Sequence, residues 1–279
     1  MSDIGFLNGR FMPLEQAMIP VEDRGFQFGD GVYEVLRTYR GVPYQLEAHL
    51  ARLERSAQAI GLSMPYRVPE WREFVKEGIR LGGHDESKVY IQVTRGVAPR
   101  DHAFPAAASS TVVMTIRAMK PLSQVLRETG VGVIMMEDLR WGRCDIKSVN
   151  LLPNVMAKQR AQEAGAFEAI FVRDGLVTEG AVSNVMVVRG GVLATAPEGE
   201  RILSGVTRSV VLALARQEGV TVQEQAVSLE ELRRADEVFL TGTTVEILAV
   251  VRLGGAPIGT GRPGELTGLL SARFRASLG

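Results

Sequence analysis

The chain has 279 residues, enough for one large or two ordinary domains, and its 32 basic and 32 acidic residues balance, so no global field favours nucleic acid or an anionic membrane surface. The single cysteine excludes an internal disulfide, and three histidines without metal-ligand spacing argue against a metal site. No secretory signal pattern opens the chain and no apolar run reaches the roughly 20 residues of a membrane-spanning helix, so we expect a soluble cytoplasmic protein.

Turn residues and hydrophobic periodicity predict the elements of the first half. Asn-Gly at 8–9 and Arg-Gly at 40–41 accept tight turns and predict two hairpins. Apolar residues recur every three or four positions over 46–60, which predicts an amphipathic helix. A second helix is predicted over 69–81, because a proline begins it and two glycines follow it. The last elements of this half are strands at 88–94 and 111–117, joined by a polar loop.

A connection at 119–124 leads into the second half, where hairpins again outnumber crossover helices. The sequence therefore predicts an α+β fold with mixed sheets and not a doubly wound parallel sheet. We expect a domain over 1–118, a linker over 119–130 and a second domain over 131–279. The predicted strands are 131–136, 169–172, 176–178, 183–188, 192–195, 221–226, 237–241 and 247–251, and the predicted helices are 154–164, 205–218, 228–234 and 264–278.

Lys147 is the strongest candidate for covalent chemistry. The chain has only five lysines against 27 arginines, and the other four lysines lie in stretches typical of solvated surface. Lys147 follows Arg140 and Arg143, whose positive charge would depress the pKa of its amine and leave the neutral form that Schiff-base formation requires. Its spacing alone favours an ordinary ion pair with Asp145. The motifs elsewhere in the chain decide between these two interpretations.

Two further segments combine glycine with reactive side chains. Between 22 and 37, three glycines within seven residues lie beside Arg24 and Tyr33; a tight turn explains the glycines but not the surrounding charge. Arg100 and His102 lie two apart on the polar loop and can present three or more donors to one carboxylate. A solvated loop tip is the alternative for this pair.

A third group of residues suggests a phosphate site. The helix predicted to begin near Val206 leaves amide groups unpaired beside Thr207, and glycine with hydroxyls at 241–244 offers further donors. The chain contains neither a P-loop nor a dinucleotide-binding glycine motif. A phosphate site without a nucleotide motif, together with a candidate Schiff-base lysine and the glutamate at 179, indicates pyridoxal 5′-phosphate.

The ordered motifs resemble a known family. Residues 22–35, 92–105 and 140–152 closely resemble the D-amino-acid aminotransferases within the class IV, or fold-type IV, pyridoxal-phosphate transaminases, and 178–180 and 183–185 extend the match. The resemblance runs through nearly the whole chain. It implies a smaller N-terminal α/β sandwich-like domain, a larger C-terminal pseudo-barrel domain, and a homodimer with the cofactor between the two domains.

The resemblance also implies roles for individual residues. Lys147 would hold the cofactor as a Schiff base and shuttle the proton of the substrate α-carbon. Glu179 would pair with the pyridine nitrogen and keep it protonated, so that the ring can accept electrons. The other cofactor contacts that it implies are Arg52 at the phosphate, Val206, Thr207 and Thr243 around it, Leu203 against the ring, and Ser183.

Tyr33, Arg100 and His102 match the family's carboxylate trap, the last two entering from the partner subunit. The side on which the carboxylate is held decides which α-hydrogen faces the lysine, so the resemblance implies transamination of D-amino acids, with pyruvate and 2-oxoglutarate as acceptors, in a ping-pong cycle. The alternatives within the fold are a branched-chain L-amino-acid or (R)-amine transaminase and an aminodeoxychorismate lyase. A non-catalytic cofactor-binding protein is the alternative outside it.

Three positions depart from the family pattern. Ala181 and Val182 stand where the relatives carry serines, so we expect poorer hydrogen bonding around the cofactor at these positions. Gly142 replaces a bulkier residue, and we expect a roomier pocket wall there. None of these changes affects Lys147 or the carboxylate trap.

Overall fold

The structure is a computed structural model that describes residues 3–278, and these form two compact units. The first unit ends at Pro121 and also includes Ile146–Asn150, so it contains Lys147. The second comprises Leu122–Asp145 and the chain from Leu151 onward. The domain limits expected from the sequence, at 118 and 131, stay predictions. No helix among residues 3–278 is both long and apolar enough to cross a membrane.

The first unit is built on a six-stranded antiparallel sheet in the order β2-β1-β6-β5-β3-β4. Its long strands β3 and β5 pair from Gly31 opposite Thr94 to Arg37 opposite Lys88. The elements are β1 (Ile4–Leu7), β2 (Arg10–Pro13), α1 (Arg24–Phe28), β3 (Gly31–Tyr39), β4 (Val42–Pro43), α2 (Leu46–Ala59), α3 (Val68–Gly82), β5 (Ser87–Thr94) and β6 (Thr111–Ala118), with a 3-10 turn at Leu14–Gln16.

One hydrophobic core holds the sheet and helices of the first unit together. Leu50 and Leu53 of α2 lie in the apolar stripe read from the sequence and are buried in this core, which also includes Trp71 of α3 and Ile91 of β5. Burying one such side chain contributes about 1.5–3 kcal/mol. Ile146, one residue before Lys147, is buried in the same core, which fixes the backbone around the lysine to this unit.

The second unit is built on a ten-stranded mixed sheet, in which β16 pairs with β15 and the rest follow the order β12-β11-β10-β14-β15-β7-β8-β9-β13. Parallel pairs β7–β8 and β11–β12 each enclose a crossover helix. The elements are α4 (Gln124–Thr129), β7 (Val131–Glu137), α5 (Leu152–Glu163), β8 (Glu168–Arg173), β9 (Leu176–Gly180), β10 (Asn184–Arg189), β11 (Val192–Thr195), α6 (Val206–Gln217), β12 (Val222–Glu224), β13 (Val227–Ser228), α7 (Leu229–Arg233), β14 (Glu237–Gly242), β15 (Glu246–Leu253), β16 (Ala256–Pro257) and α8 (Glu265–Ala276).

The structure confirms the mixed α+β class and every helix predicted from the sequence, within a few residues at the ends. The capping box of α7 is present, with Ser228 and Glu231 bonded to each other's backbone amides. Five short elements were missed: the 3-10 turn at Leu14–Gln16, α1, α4, β13 and β16. Helices of five and six residues are too short to show a periodicity, and α1 is instead begun by Asp23, whose carboxylate accepts from the Gly25 amide at 2.8 Å.

A pair of glycine substitutions separates backbone strain from steric overlap in the first unit. Gly41 and Gly96 both have positive φ, of 77° and 94°. A Cβ on Gly41 would meet no atom of residues 3–278 within 4 Å, whereas one on Gly96 would lie 1.9 Å from the Ser109 carbonyl oxygen. We expect Gly41→Ala to lower the free energy of unfolding by about 1–2 kcal/mol. Gly96→Ala should lower it by a further 1–3 kcal/mol or so, because backbone must move.

Urea unfolding followed by tryptophan fluorescence measures both variants beside the parent. Equal destabilisation by Gly41→Ala and Gly96→Ala would show that the backbone at Ser109 moves away from the new Cβ at no cost in free energy, contrary to the expectation.

Candidate active site

Lys147 is attached to the sheet of the first unit by its backbone. The Tyr33 amide donates to the Lys147 carbonyl at 2.9 Å, and the Lys147 amide donates to Ser56 Oγ at 3.2 Å. Val32 and Ser148 form an isolated antiparallel bridge. The Lys147 Nζ lies 4.4 Å from the centroid of the ring of Tyr33, which lies beside Val32 on β3. The structure therefore brings together two residues that the sequence placed in the site.

Asp145 has a different partner from the one its spacing suggested. Both of its carboxylate oxygens accept from Arg143, at 3.0 Å from Nε and 2.9 Å from Nη2. This two-point pair is the geometry that guanidinium and carboxylate prefer. Asp145 is thus engaged by Arg143 within the second unit.

Arg52, the predicted phosphate contact, is held by a buried carboxylate. Its Nε donates to Glu34 Oε1 at 2.6 Å and its Nη2 to Glu34 Oε2 at 2.9 Å, while His49 Nδ1 lies 2.7 Å from the same Oε2. All three side chains are buried, and Glu34 is completely so. The plane of the Arg52 guanidinium is therefore set by Glu34, which also accepts from the Val35 amide at 3.2 Å.

The charge states in this cluster follow from burial and pairing. Burial raises the pKa of Glu34, but the charge of Arg52 and hydrogen bonds from His49 and Arg52 outweigh that effect and hold the pKa well below its ordinary value of 4.5. Burial lowers the pKa of His49 against the opposing effect of Glu34. Neutral His49 then donates its Nδ1 proton to the Glu34 carboxylate, which only accepts.

Glu34 and His49 were missed by the sequence analysis. A signal existed: His49, Arg52 and Ser56 recur at helical spacing on the buried face of α2, beside Leu53. Polar side chains on an apolar helix face require buried partners, because an unpaired buried polar group is costly. The pattern alone did not say which residue would supply them.

Arg100 and His102 gather around one aromatic ring. The Arg100 guanidinium carbon lies 4.4 Å from the centroid of the Phe28 ring, and the His102 and Phe28 ring centroids are 5.4 Å apart. Arg100 Nη1 also lies 3.4 Å from the Gln27 carbonyl oxygen. Both side chains are exposed, so they remain available to a carboxylate while resting on α1.

Glu179, at the end of β9, is held by donors of the second unit. One carboxylate oxygen accepts from Arg140, and the other accepts from Asn184 Nδ2 at 3.1 Å and from the Leu203 amide at 3.0 Å. Burial lowers the pKa of Arg140, but hydrogen bonding to Asp138 and the charge of Glu179 outweigh it and raise that pKa. Glu179 is therefore paired with a permanent cation, which favours its charged form.

Asn184 joins the Glu179 carboxylate to the predicted phosphate site. Its Nδ2 also donates to the Leu203 carbonyl at 2.9 Å, and a Cβ on Gly205 would lie 2.0 Å from its Oδ1. Glycine at 205 is thus required for Asn184 to reach both Glu179 and the chain just before α6. Asn184 was missed as a site residue, although it lies beside the predicted contact Ser183.

The start of α6 offers donors of the kind that a phosphate needs. Val206 and Thr207 open the helix and are buried, and Gly205 before them is extended and makes no side-chain cap within residues 3–278. Thr241, opposite Asn184 in the β10–β14 pair, has a buried hydroxyl without a hydrogen-bond partner in the same range. An uncapped helix start and an orphaned hydroxyl fit a phosphate-bearing cofactor. Thr243 follows in the next turn and is half-buried.

The loop after Glu179 explains two departures from the family pattern. Ala181 is buried against Ala157 and Phe171, so the hydroxyl of a serine at this position would be placed among apolar side chains. The Val182 amide and the Ser183 hydroxyl both donate to Glu168 Oε1 at 2.8 Å. Burial raises the pKa of Glu168 against these two hydrogen bonds. The loop is therefore fixed from behind by one buried carboxyl, without the missing serines.

The remaining predicted contacts follow the two units. Gly142 is exposed, and a Cβ there would meet no atom of residues 3–278 within 4 Å; the roomier pocket wall stays a prediction. The first unit contains Tyr33, Arg52, Arg100, His102 and Lys147, and the second contains Glu179, Ser183, Leu203, Val206, Thr207 and Thr243.

Comparisons with known proteins agree with these features. The family profile described as amino-transferase class IV matches residues 31–253. A D-alanine aminotransferase of Bacillus licheniformis is 47% identical over 261 residues, which cover 93% of this chain and 92% of that protein. The D-alanine aminotransferase of Staphylococcus haemolyticus is 39% identical over 269 residues, covering 96% of this chain and 95% of that protein.

Solved structures show the same fold. The branched-chain amino acid aminotransferase of Escherichia coli superposes with a TM-score of 0.92 at 27% identity, covering 99% of this chain and 94% of that one. A second branched-chain amino acid aminotransferase, from T.th. and solved with pyridoxamine 5′-phosphate, also has a TM-score of 0.92, at 26% identity, covering 100% of this chain and 94% of that one.

The buried Glu34 makes a testable contribution to stability. Glu34→Gln removes the charge between Arg52 and His49, and we expect it to lower the free energy of unfolding by about 3 kcal/mol at neutral pH. Because the folded pKa of Glu34 lies below the unfolded value of 4.5, this stabilisation is complete above pH 4.5 and is lost as the pH falls further.

Calorimetric unfolding of parent and variant between pH 7 and pH 3.5 measures this difference. The control is Glu86→Gln, which removes the half-exposed carboxylate paired with Arg37 in the same unit and should cost about 1 kcal/mol or less. A difference between parent and Glu34→Gln that stays constant down to pH 3.5 would contradict the lowered pKa.

Proposed function

Since this chain belongs to the class IV aminotransferases, we propose that it transfers the amino group of D-amino acids, such as D-alanine and D-glutamate, to 2-oxo acids such as pyruvate and 2-oxoglutarate. The observation that carries the proposal is the placement of Arg100 and His102 on one ring, in a chain 47% identical to a D-alanine aminotransferase. The reaction proceeds in two half-reactions, in which the donor leaves as a 2-oxo acid before the acceptor binds.

Family membership confirms three predictions made from the sequence: an aminotransferase, the fold-type IV architecture, and dependence on pyridoxal 5′-phosphate. When bound, this cofactor supplies an electron sink that stabilises the negative charge left on the α-carbon once its proton is removed. The protein must therefore bind the cofactor, orient the substrate and move one proton.

Lys147 is the residue proposed to bind the cofactor covalently and to move that proton. Its Nζ would take the proton from the substrate α-carbon and pass it to the cofactor carbon within the same half-reaction, and it would move a proton in the opposite direction in the second half-reaction. The backbone contacts to Tyr33 and Ser56 hold the start of this long side chain, and the Tyr33 ring lies beside its amine. Because the backbone that carries this side chain is fixed, its amine can reach a proton on one face of the substrate and not on the other.

Glu179 is proposed to accept a hydrogen bond from the protonated pyridine nitrogen. Arg140, Asn184 and the Leu203 amide hold the carboxylate in one orientation and keep it charged, which lets it stabilise a cation. Leu203 would pack beside the ring, and Ser183, on the loop fixed by Glu168, would complete the contacts.

The phosphate is proposed to bind at the start of α6 and to Arg52. Val206 and Thr207 offer amides and a hydroxyl at the positive end of the helix dipole, and Thr243 offers a second hydroxyl. Glu34 orients the Arg52 guanidinium for this contact.

Arg100, His102 and Tyr33 are proposed to hold the substrate carboxylate, with Arg100 and His102 supplied by the partner subunit of a homodimer. The exposed apolar side chains of Met18, Val21 and Phe26, each more than 70% accessible, support such an interface close to this loop. The cytoplasm is the proposed location, in agreement with the single free cysteine.

Covalent attachment at Lys147 is directly testable. Borohydride reduction of the protein loaded with pyridoxal phosphate, followed by peptide mapping, should place the pyridoxyl group on Lys147. We expect Lys147→Ala to lose at least about 1000-fold in turnover, because the base and the covalent anchor are removed together. Lys88→Ala, which changes an exposed lysine of the same unit, is the control. A pyridoxyl group on any other lysine would refute the assignment.

The structural matches to branched-chain enzymes favour one second candidate, a branched-chain L-amino-acid transaminase. Assays with D-alanine and L-leucine as donors and 2-oxoglutarate as acceptor distinguish the two. We expect D-alanine to be preferred by about 100-fold or more in kcat/KM, since the wrong enantiomer presents its α-hydrogen away from Lys147. Turnover of L-leucine alone would instead establish the second candidate.

A further inference from the structure

Arg24 lies outside the proposed catalytic residues, yet it is a charged side chain only 3% accessible to solvent. We propose that Arg24 is a positioning residue that sets the place of Arg100 and His102 and thereby determines the affinity for the substrate carboxylate. This inference rests on the proposed function, because it assigns to Arg24 the preparation of the carboxylate trap.

The Arg24 guanidinium binds the backbone of the loop on both sides of His102. Its Nη1 donates to the Asp101 carbonyl at 2.6 Å and to the Ala103 carbonyl at 3.2 Å, and its Nη2 lies 3.5 Å from the His102 carbonyl oxygen. One side chain thus contacts three consecutive carbonyls that are far away along the chain. Only the forked guanidinium can offer donors in so many directions at once.

Asp30 fixes the direction of that guanidinium. Its Oδ2 accepts from Arg24 Nε at 2.8 Å and from Arg95 Nε at 2.9 Å. Arg95 in turn donates to the carbonyls of Ile60 and Gly61, and its guanidinium lies 3.6 Å from the centroid of the Phe104 ring. Arg24 therefore binds the loop at residues 101–103, Arg95 contacts it at Phe104, and Asp30 accepts from both arginines.

Phe28 links Arg24 directly to the trap side chains. The Arg24 guanidinium carbon lies 4.8 Å from the centroid of the Phe28 ring, and Arg100 contacts the same ring at 4.4 Å. His102 packs against it as well. Arg24 consequently acts on both parts of the trap, on the backbone through three carbonyls and on the side chains through one shared ring.

The consequence for substrate binding is entropic. Arg100 and His102 are exposed, so their directions depend on the backbone that carries them. If that backbone is loosened, binding a carboxylate must first order it, and affinity falls while the chemistry at the α-carbon is unaffected. Loss of Arg24 should therefore raise KM and leave kcat nearly unchanged.

The test compares Arg24→Met with Arg37→Met. Arg37 is also a buried arginine of the first unit, but it pairs with Glu86 at the opposite end of β3. With D-alanine as donor, we expect Arg24→Met to raise KM by about 10-fold with kcat within about 3-fold of the parent. Hydrogen–deuterium exchange of residues 99–104, measured on the cofactor-loaded protein without substrate, should rise in Arg24→Met and not in Arg37→Met.

Arg24→Lys provides a second variant if Arg24→Met does not fold. It retains a cation beside Asp30 but cannot span three carbonyls, so we expect an increase in KM of about 3-fold to 5-fold and faster exchange over the same residues. KM within about 2-fold of the parent, equal effects of Arg37→Met, or unchanged exchange over 99–104 would each overturn the proposal.

The two proposals fail in different ways. If the parent does not use D-alanine, the proposed function is wrong, and the KM comparison is then made with L-leucine, whose carboxylate also needs a donor. Exchange over 99–104 does not depend on which amino acid is used. An increase in that exchange without an increase in KM for the amino acid used would show that Arg24 orders the loop but not the substrate, and would overturn the inference about affinity.

Discussion

The first unit's part of the site depends on the pairing of the buried Glu34 carboxylate with Arg52 and His49. Glu34 is fully buried, and it is stabilised as an anion by Arg52 and His49 of α2 and by the amide of Val35. Glu34 also follows Tyr33 on β3, and the Tyr33 amide donates a hydrogen bond to the Lys147 carbonyl. The proposed phosphate contact, one trap residue and the lysine are therefore all placed by the same stretch of strand and helix.

In the second unit, two buried carboxyl groups, those of Glu179 and Glu168, order neighbouring loops. Glu179 is held by Arg140, Asn184 and a backbone amide, and Glu168 holds the loop that follows it. Buried carboxylates accept several donors in fixed directions, and a hydrogen bond to a charged acceptor is about twice as strong as one between neutral groups. Glu179 acts in this way as an anion, whereas Glu168, whose pKa is raised by burial, orders its loop as a buried carboxyl that accepts from the Val182 amide and the Ser183 hydroxyl.

The sequence predicted the long elements, the fold class and the residues proposed to touch cofactor and substrate, because periodicity and ordered motifs are local properties. Residues that act through others were not predicted: Glu34 and Asn184 are known only from partners distant along the chain. Arg24 was noticed for its charge beside glycines, but its role depends on carbonyls of the loop 101–103, which no pattern in the sequence connects to it. Helix α1, which carries Phe28, was too short for its periodicity to be read.

Substrate preference depends both on the residues proposed to touch the substrate and on the residues that position them. In the proposed reaction, Lys147 would act at the α-carbon and Glu179 at the cofactor ring whichever amino acid is bound, whereas Arg100 and His102 would act only on the carboxylate. The layer of residues behind that pair, Arg24 and Phe28, contacts the backbone of the loop and the Arg100 side chain and contains none of the residues proposed to hold cofactor or substrate. Small shifts in this layer would alter affinity for the carboxylate and leave the proton transfer intact. Because the side on which the carboxylate is held decides which enantiomer presents its α-hydrogen to Lys147, substitutions in this layer would be one route to a change in substrate preference.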